Sequence, residues 1–394
     1  MWVTMPCPRL MREAGYHGEA YLPSPTYQGL GAGCWGTMNE VCAHLVGYMP
    51  REECVVHVYN TIVRVLPQGS EADEVIQQAA AMLRAGDVVA FPTETVYGLG
   101  ANAMQPSAVA RIFEAKGRPS NNPLIVHVLD VRAARKLCTT WPVMADRLAE
   151  AFWPGPLTLV VPRTGDVPDI VTAGGPNVGI RVPSHSVARA ILTAAEVPIA
   201  APSANRSNAI SPTRAEHVLS DLNGRIPLII DGGPTNNLES TVIDVSTELP
   251  RILRPGPISS QALAEVVGRL PVAVTVPQTE MAPLTSPGQL QVHYAPSTPA
   301  IMLPAGDADQ LAAQLRTSGK LVARLTSGGG KSCLPMEIAL PPSWQVWQAN
   351  LYEALHTLDD AGADIIVVDE PPLASEWAAV YDRLKRACAR TVNL

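Results

Sequence analysis

Residues 91–127, FPTETVYGLGANAMQPSAVARIFEAKGRPSNNPLIVH, alternate apolar runs with polar loops in an order that builds a ligand cleft. Residues 88–91 lead in as a short, β-branched run suited to a buried strand, which breaks into the polar loop 92–95. Gly98, Leu99 and Gly100 read as a turn. Pro106 suits the first position of a helix that carries Val109, Ile112 and Phe113 at helical spacing until Lys116 and Gly117 stop it. The loop from Lys116 to Pro119 is cationic, with Lys116 and Arg118 able to offer charge-assisted hydrogen bonds to anionic oxygens. Residues 124–128 then read as a second buried strand carrying His127. Open α/β sheets hold ligands at strand ends, so this succession reads as a pocket for a polyanion beside a small polar molecule.

Each residue alone has an ordinary explanation. Thr93 and Thr95 can satisfy turn backbone, His127 reads as a buried histidine of the core, and Arg118 beside Pro119 reads as a solvated loop residue. Their co-occurrence is what points to a site.

Outward from this stretch, the 394 residues suffice for two to three domains, and 47% hydrophobic with 16% charged residues indicates a globular chain rather than a disordered one. A net charge of -7 gives no overall footprint for nucleic acid but permits a local basic pocket. No apolar run approaches the ~18 residues of a membrane span, and the N-terminus lacks the pattern of a signal peptide, so no membrane and a cytoplasmic address are expected. Seven cysteines in no paired framework suit reduced thiols. Cys7, Cys34, Cys42 and Cys54 crowd with His17, His44 and His57, but at no zinc-site spacing.

Residues 1–60 are rich in Gly, Pro and Tyr and show weak periodicity. Residues 62–66 read as a strand, and Ser70 with Asp73 resembles a capping box for a helix ending at Gly86. Residues 143–152 are helical, with Trp153 as core filler before a strand over 157–161. Arg181 interrupts the apolar strand 178–182, where an arginine needs a counter-anion or a wet cleft. The small residues of 198–205 let backbone approach a ligand, and Ser211, Pro212 and Thr213 read as the opening of the next helix. Residues 239–245 and 251–256 read as adjacent strands with Ser240 and Arg254 near their ends.

A Pro-rich linker spans 274–299. Strand and helix then alternate over 300–394, implying a small parallel-sheet α/β domain. Residues 327–332, SGGGKS, imitate a phosphate-binding loop, yet Leu325 stands where that pattern requires glycine, so the segment reads as a flexible loop. No serine has a histidine at motif spacing and no cysteine falls inside the motifs, which favours binding roles over a covalent nucleophile.

Taken in order, PTETVYGLGANA, KGRPSNNPLIVH, FWPGPLTLV, APSAN with SPT, ESTVIDV and ILRPG resemble the Sua5/YrdC/YwlC family of threonylcarbamoyl-AMP synthases, in its long form with a C-terminal domain. The match runs from about Thr61 onward and is dense over 87–257. The resemblance implies an extension over 1–60, a YrdC-like twisted mixed-sheet domain with a cleft over 61–273, the linker 274–299, and a small Rossmann-like parallel α/β domain over 300–394. It implies a nucleotidyltransferase, L-threonylcarbamoyladenylate synthase, that converts L-threonine, bicarbonate or CO2, and ATP into threonylcarbamoyl-AMP and pyrophosphate. The product then feeds the downstream transfer machinery that makes N6-threonylcarbamoyladenosine in tRNA, with direct tRNA contact by this chain left open.

By the same resemblance, Thr95, His127, Arg181, Ala201 and Ser240 match threonine-binding positions. Lys116, Arg118, Asn122, Asn177, Ser203, Ser211, Arg254 and Tyr294 match ATP-binding positions, with Lys116, Arg118 and Arg181 positioning the reactants. Mg2+ is implied as a companion of ATP, without protein side-chain ligands. The chain departs from the family's linker pattern PGMKYRHY, reading PGQLQVHY over 287–294, and carries Asp382 and Arg383 where the family tends to an Asn-Arg pair. An RNA-binding module is the competing expectation. A carbamoyl-adenylating domain of the hydrogenase-maturation type shares the fold but normally comes with an acylphosphatase domain and zinc fingers, neither visible here.

Overall fold

The structure, a computed structural model, describes residues 57, 59–67, 69–268, 272–273, 292–328 and 336–389. The N-terminal extension with its cysteines, most of the linker and the latter part of the SGGGKS loop lie outside the described residues. From Asn60 onward the chain forms one compact unit.

Among the described residues, eleven strands build one mixed sheet: β1 (Ile62–Val65), β2 (Val89–Pro92), β3 (Tyr97–Asn102), β4 (Ile125–His127), β5 (Leu157–Pro162), β6 (Asn177–Arg181), β7 (Ile199–Ala200), β8 (Leu228–Asp231), β9 (Thr241–Asp244), β10 (Arg251–Arg254) and β11 (Val272–Ala273). Their order is β1-β8-β2-β3-β7-β4-β6-β5-β9-β10-β11. Strand alternation sorts the side chains: Val89, Phe91, Leu228 and Ile230 face one layer, while Val88, Ala90 and Ile229 face the other. The first layer is closed by α1 (Ser70–Arg84) and, farther along the chain, by a helix over 186–195. Full burial of a side chain such as Phe91, 1% exposed, stabilises by roughly 1.5–3 kcal/mol.

The remaining helices of this part are α2 (Pro106–Lys116), α3 (Val131–Arg135), α4 (Val143–Phe152), α5 (Asp169–Thr172), α6 (Ser186–Ala195), α7 (Ala215–Leu222) and α8 (Ser260–Val267). α2 starts on Pro106 and ends at Gly117, whose left-handed φ of 60° lets the chain leave the helix. A second, all-parallel sheet follows in the order β12-β15-β13-β14, from β12 (Ala300–Leu303), β13 (Val322–Thr326), β14 (Glu337–Ala339) and β15 (Ile365–Asp369). It is covered by α9 (Ala305–Thr317), α10 (Trp344–Asp359) and α11 (Ala378–Ala387).

Three local expectations are corrected. Gly98 and Gly100 lie within β3, which pairs antiparallel with β2, and the chain reverses over Thr93–Val96 instead. At Gly100 a Cβ would sit 2.6 Å from Phe91 Cε1 and 2.8 Å from Ile199 Cγ2, so this glycine serves close packing rather than a turn. The N-cap of α1 is Gly69, which places Ser70 inside the helix rather than at its cap. Ser211 and Thr213 do not open α7, whose N-cap is Arg214; their hydroxyls go to Glu239 and, at 2.9 Å, to Glu353 Oε2.

Those two bonds belong to the junction between the sheets. Val96, Ile210, Leu238 and Tyr294 share a buried cluster with Trp347, Leu351, Tyr352 and Leu355 of α10. Around it, Gln348 Nε2 donates to Asn237 Oδ1 at 2.9 Å and Arg214 Nε to Glu353 Oε1 at 2.9 Å. His217 of α7 and His356 of α10 stack with ring centroids 3.7 Å apart. His217 Nδ1 accepts the Thr213 N–H at 3.3 Å, which requires that nitrogen to be unprotonated. Burial, then His356, bring His217 down to about 4 against the pull of Glu353, and burial also lowers His356 against the Ser211 carbonyl.

The sign follows from linkage. Between about pH 6.5 and 4 the unfolded chain binds protons that the folded pair refuses, so this contribution to stability is lost as pH falls through that window. The thermal midpoint should therefore fall across it, and less steeply in His217→Gln. An unchanged pH slope in that variant would remove the pair's role.

Candidate active site

The Pro92–Val96 reversal, the ends of β4, β6, β7 and β10, the entry to β9 and residues 293–294 converge on one cleft, about 540 Å3 with its open mouth included.

At one end, the parallel pairing of β4 with β6 sets His127 opposite Arg181. Arg181 is 4% exposed; its Nη2 donates to Thr95 Oγ1 at 3.1 Å and lies 2.7 Å from Glu94 Oε1. Thr93 Oγ1 donates to the Val96 carbonyl at 2.7 Å, accepts the Thr95 N–H at 3.2 Å, and lies 2.8 Å from Thr95 Oγ1. Burial alone would raise the Glu94 carboxyl, but Arg181 beside it holds it below its ordinary value. Burial, with Arg181 adding to it, pushes His127 down to about 3, so its imidazole is neutral. Its Nδ1 is buried without a hydrogen-bond partner among the described residues.

At the other end stand Arg118 and Arg254. Arg118 is clamped by its own loop, with Nε on the Asn122 carbonyl at 3.1 Å and Nη2 on Asn122 Oδ1 and the Pro123 carbonyl, both at 2.7 Å. Burial brings Arg118 down to about 9, which leaves it charged at neutral pH. Arg254 donates through Nε and Nη2 to the Ser240 carbonyl at 3.1 and 2.9 Å, and Ser240 Oγ lies 2.7 Å from Thr158 Oγ1. Tyr294 roofs this end in a left-handed conformation, φ 59°, that costs a non-glycine residue about 1–2 kcal/mol. Its hydroxyl is buried without a hydrogen-bond partner among the described residues.

Of the residues singled out in the sequence, Thr95, Arg118, His127, Arg181, Ala201, Ser203, Ser240, Arg254 and Tyr294 line the cleft together. Lys116, Asn122, Asn177 and Ser211 stand outside its lining. Lys116 Nζ donates to the Ser203 carbonyl at 2.7 Å and to the Asn205 carbonyl, which makes it the prop of the loop that presents Ser203. Asn122 braces Arg118, and Asn177 Nδ2 donates to Ser246 Oγ at 3.2 Å.

Sequence reasoning read Thr93 as satisfying turn backbone and gave Glu239 and His293 no role, yet all three also line the cleft. Glu239 is buried; Oε1 accepts from Ser211 Oγ and, at 2.9 Å, from Tyr352 OH, while Oε2 accepts from Tyr352 OH at 2.8 Å and Arg383 Nε at 2.7 Å. Burial would raise this carboxyl, yet Arg383 and then Arg254 hold it down at about 2. The acid that opens ESTVIDV was the available signal, but Arg383 is 144 residues away and no local pattern couples them.

Buried guanidinium groups lining one strand-end cleft together with hydroxyls and a neutral imidazole define an α/β protein built to hold anionic small molecules. Residues 81–256 match the Sua5/yciO/yrdC family model, described as telomere recombination, and residues 258–389 match that of the threonylcarbamoyl-AMP synthase C-terminal domain. The threonylcarbamoyl-AMP synthase of Bacillus subtilis (strain 168) is 40% identical over 338 residues, spanning 84% of this chain and 97% of that protein. That of Pyrococcus abyssi (strain GE5 / Orsay) is 41% identical over 320 residues, spanning 79% and 93%. The crystal structure of P. abyssi Sua5 complexed with L-threonine superposes with a TM-score of 0.77 at 38% identity, covering 83% of this chain and 97% of that one. This chain belongs to the threonylcarbamoyl-AMP synthase family.

Proposed function

We propose that the protein is a nucleotidyltransferase, an L-threonylcarbamoyladenylate synthase that makes threonylcarbamoyl-AMP and pyrophosphate from L-threonine, bicarbonate or CO2, and ATP. The observation that carries this is one cleft lined by two groups of buried cations, Arg181 with Thr95 and His127, and Arg118 with Arg254. Arg181 receives the threonine carboxylate through its fork. His127, being neutral, contributes a hydrogen bond and no charge. Ala201 and Ser240 complete the threonine site, Ser240 standing where that site meets the Arg254 guanidinium. Arg118 and Arg254 spread the phosphate charge, Ser203 and Tyr294 flank the nucleotide, and Lys116, Asn122 and Ser211 act from behind by holding Ser203, Arg118 and Glu239. An oxygen of the carboxylated threonine nitrogen then attacks the α-phosphorus in line with departing pyrophosphate, so catalysis is chiefly positioning and charge neutralisation.

Mg2+ accompanies ATP in such chemistry and neutralises its phosphates. Glu239, the acid of the cleft lining among the described residues, has both oxygens engaged by Ser211, Tyr352 and Arg383, so the ion's ligands would come from phosphate and water. The product is an acyl-adenylate, to be consumed by acyl transfer in the machinery that modifies the tRNA adenosine. Among the described residues no helix is long and apolar enough to cross a membrane, and we place the activity in the cytoplasm.

Purified protein should release pyrophosphate from ATP only when both L-threonine and bicarbonate are present. Equal release without threonine would overturn the substrate assignment. Strong salt-dependent RNA binding without threonine-dependent turnover would instead favour the RNA-binding alternative.

A further inference from the structure

An acid in a cleft meant for a triphosphate works against its ligand. Glu239 is that acid, and among the described residues the part of the protein carrying the cleft answers it with one side-chain hydrogen bond, from Ser211 Oγ. The rest comes from across the junction: Tyr352 OH from α10 and Arg383 Nε from α11. Arg383 is fully buried, gives Nη1 to Asp382 Oδ2 at 2.7 Å, and holds its guanidinium carbon 5.1 Å from the centre of the Tyr294 ring. It touches two residues of the cleft lining, Glu239 and Tyr294, without lining the cleft itself. After Arg383, Arg254 is the cation that acts most strongly on the Glu239 carboxylate, and Arg254 already binds the carbonyl of the adjoining Ser240.

We infer that Arg383 is a positioning residue for nucleotide binding: by pairing with Glu239 from behind, it neutralises the acid of the cleft and leaves Arg254 and Arg118 free for a polyphosphate. This rests on the ATP reading above. A plain structural clamp would also place Arg383 on Glu239, but it makes a different prediction. If the pair only holds the two sheets together, removing both charges repairs nothing. If Arg383 shields the nucleotide from Glu239, removing the acid makes the shield unnecessary.

The test uses the full chain, with equilibrium ATP binding and steady-state kinetics. Arg383→Met should weaken ATP binding and raise the ATP KM by about tenfold or more, because Glu239 then draws Arg254 to itself, while the threonine KM moves by less than about twofold. Adding Glu239→Gln to that variant should bring ATP affinity back to within about twofold of wild type. Arg383→Lys, which keeps the charge, should bind ATP nearly as the wild type does. A double variant as weak as Arg383→Met, or equal losses for threonine and ATP, would overturn the shield. If Arg383→Met does not fold, Glu239→Gln alone decides: ATP affinity equal to or tighter than wild type supports the shield, and weaker binding sinks it. ATP binding without threonine-dependent pyrophosphate release would fail the proposed reaction and leave this test standing; a wild-type protein that binds no ATP overturns both.

Discussion

Arg181→Ala is expected to raise the threonine KM by roughly 30- to 1000-fold, the cost of about 2–4 kcal/mol for one buried, charged hydrogen-bonding partner, while the ATP KM moves far less. The asymmetry follows from position. Arg181 sits beside Thr95 and His127, whereas Arg118 and Arg254 are held by Asn122 and the Ser240 carbonyl. Truncation also deprives Glu94 of the cation that holds its carboxyl down. Part of the loss is therefore a buried acid left alone, and Arg181→Ala combined with Glu94→Gln should recover stability but not threonine binding. Pyrophosphate release measured while each substrate is varied in turn checks this, and equal effects on both would remove the carboxylate-binding role.

Gly256→Ala is expected to disable both ends at once. A Cβ there would lie 2.4 Å from the Thr241 nitrogen and 2.7 Å from both the Glu239 oxygen and the Ser240 carbonyl carbon. All three are backbone atoms, so no rotamer change relieves the clash, and the 239–241 segment must move. Arg254 takes its bearing from the Ser240 carbonyl, and Glu239 meets Arg383 from the same segment. We expect a stability loss of about 1–3 kcal/mol, typical of overpacking, together with loss of ATP and threonine affinity. Thermal unfolding alongside the two binding measurements tests it; wild-type values in all three would show that the segment yields freely.

What the sequence discloses is periodicity, and what it conceals is distance. Residues 143–152 and 344–359 carry apolar side chains at helical spacing and form helices over those residues. Phe91 and Val126 lie in buried strands because short β-branched runs between loops have few alternatives. Gly100 was misread because a glycine can signify a turn or a tight contact, and its neighbour Ile199 lies about a hundred residues onward. Ser211 was misread for a related reason: serine before proline announces a helix cap, but its hydroxyl goes to Glu239. In the site, Arg181 was legible as a cation in an apolar strand, Arg118 as part of a cationic loop and Arg254 as a cation near a strand end. Glu239 and Arg383 were not, since each looks ordinary until the two sheets are brought together.

The hydroxyls of Thr93 and Thr95 have a direction built into them. The Thr93 hydrogen goes to the Val96 carbonyl, so the hydrogen shared between the two hydroxyls comes from Thr95. Thr95 Oγ1 also takes a hydrogen from Arg181, and one lone pair is left on it. An N–H or O–H lying against that oxygen is accepted, whereas a bare oxygen is repelled. This wall of the cleft thus counts hydrogens, distinguishing protonation and substitution patterns among molecules of the same shape.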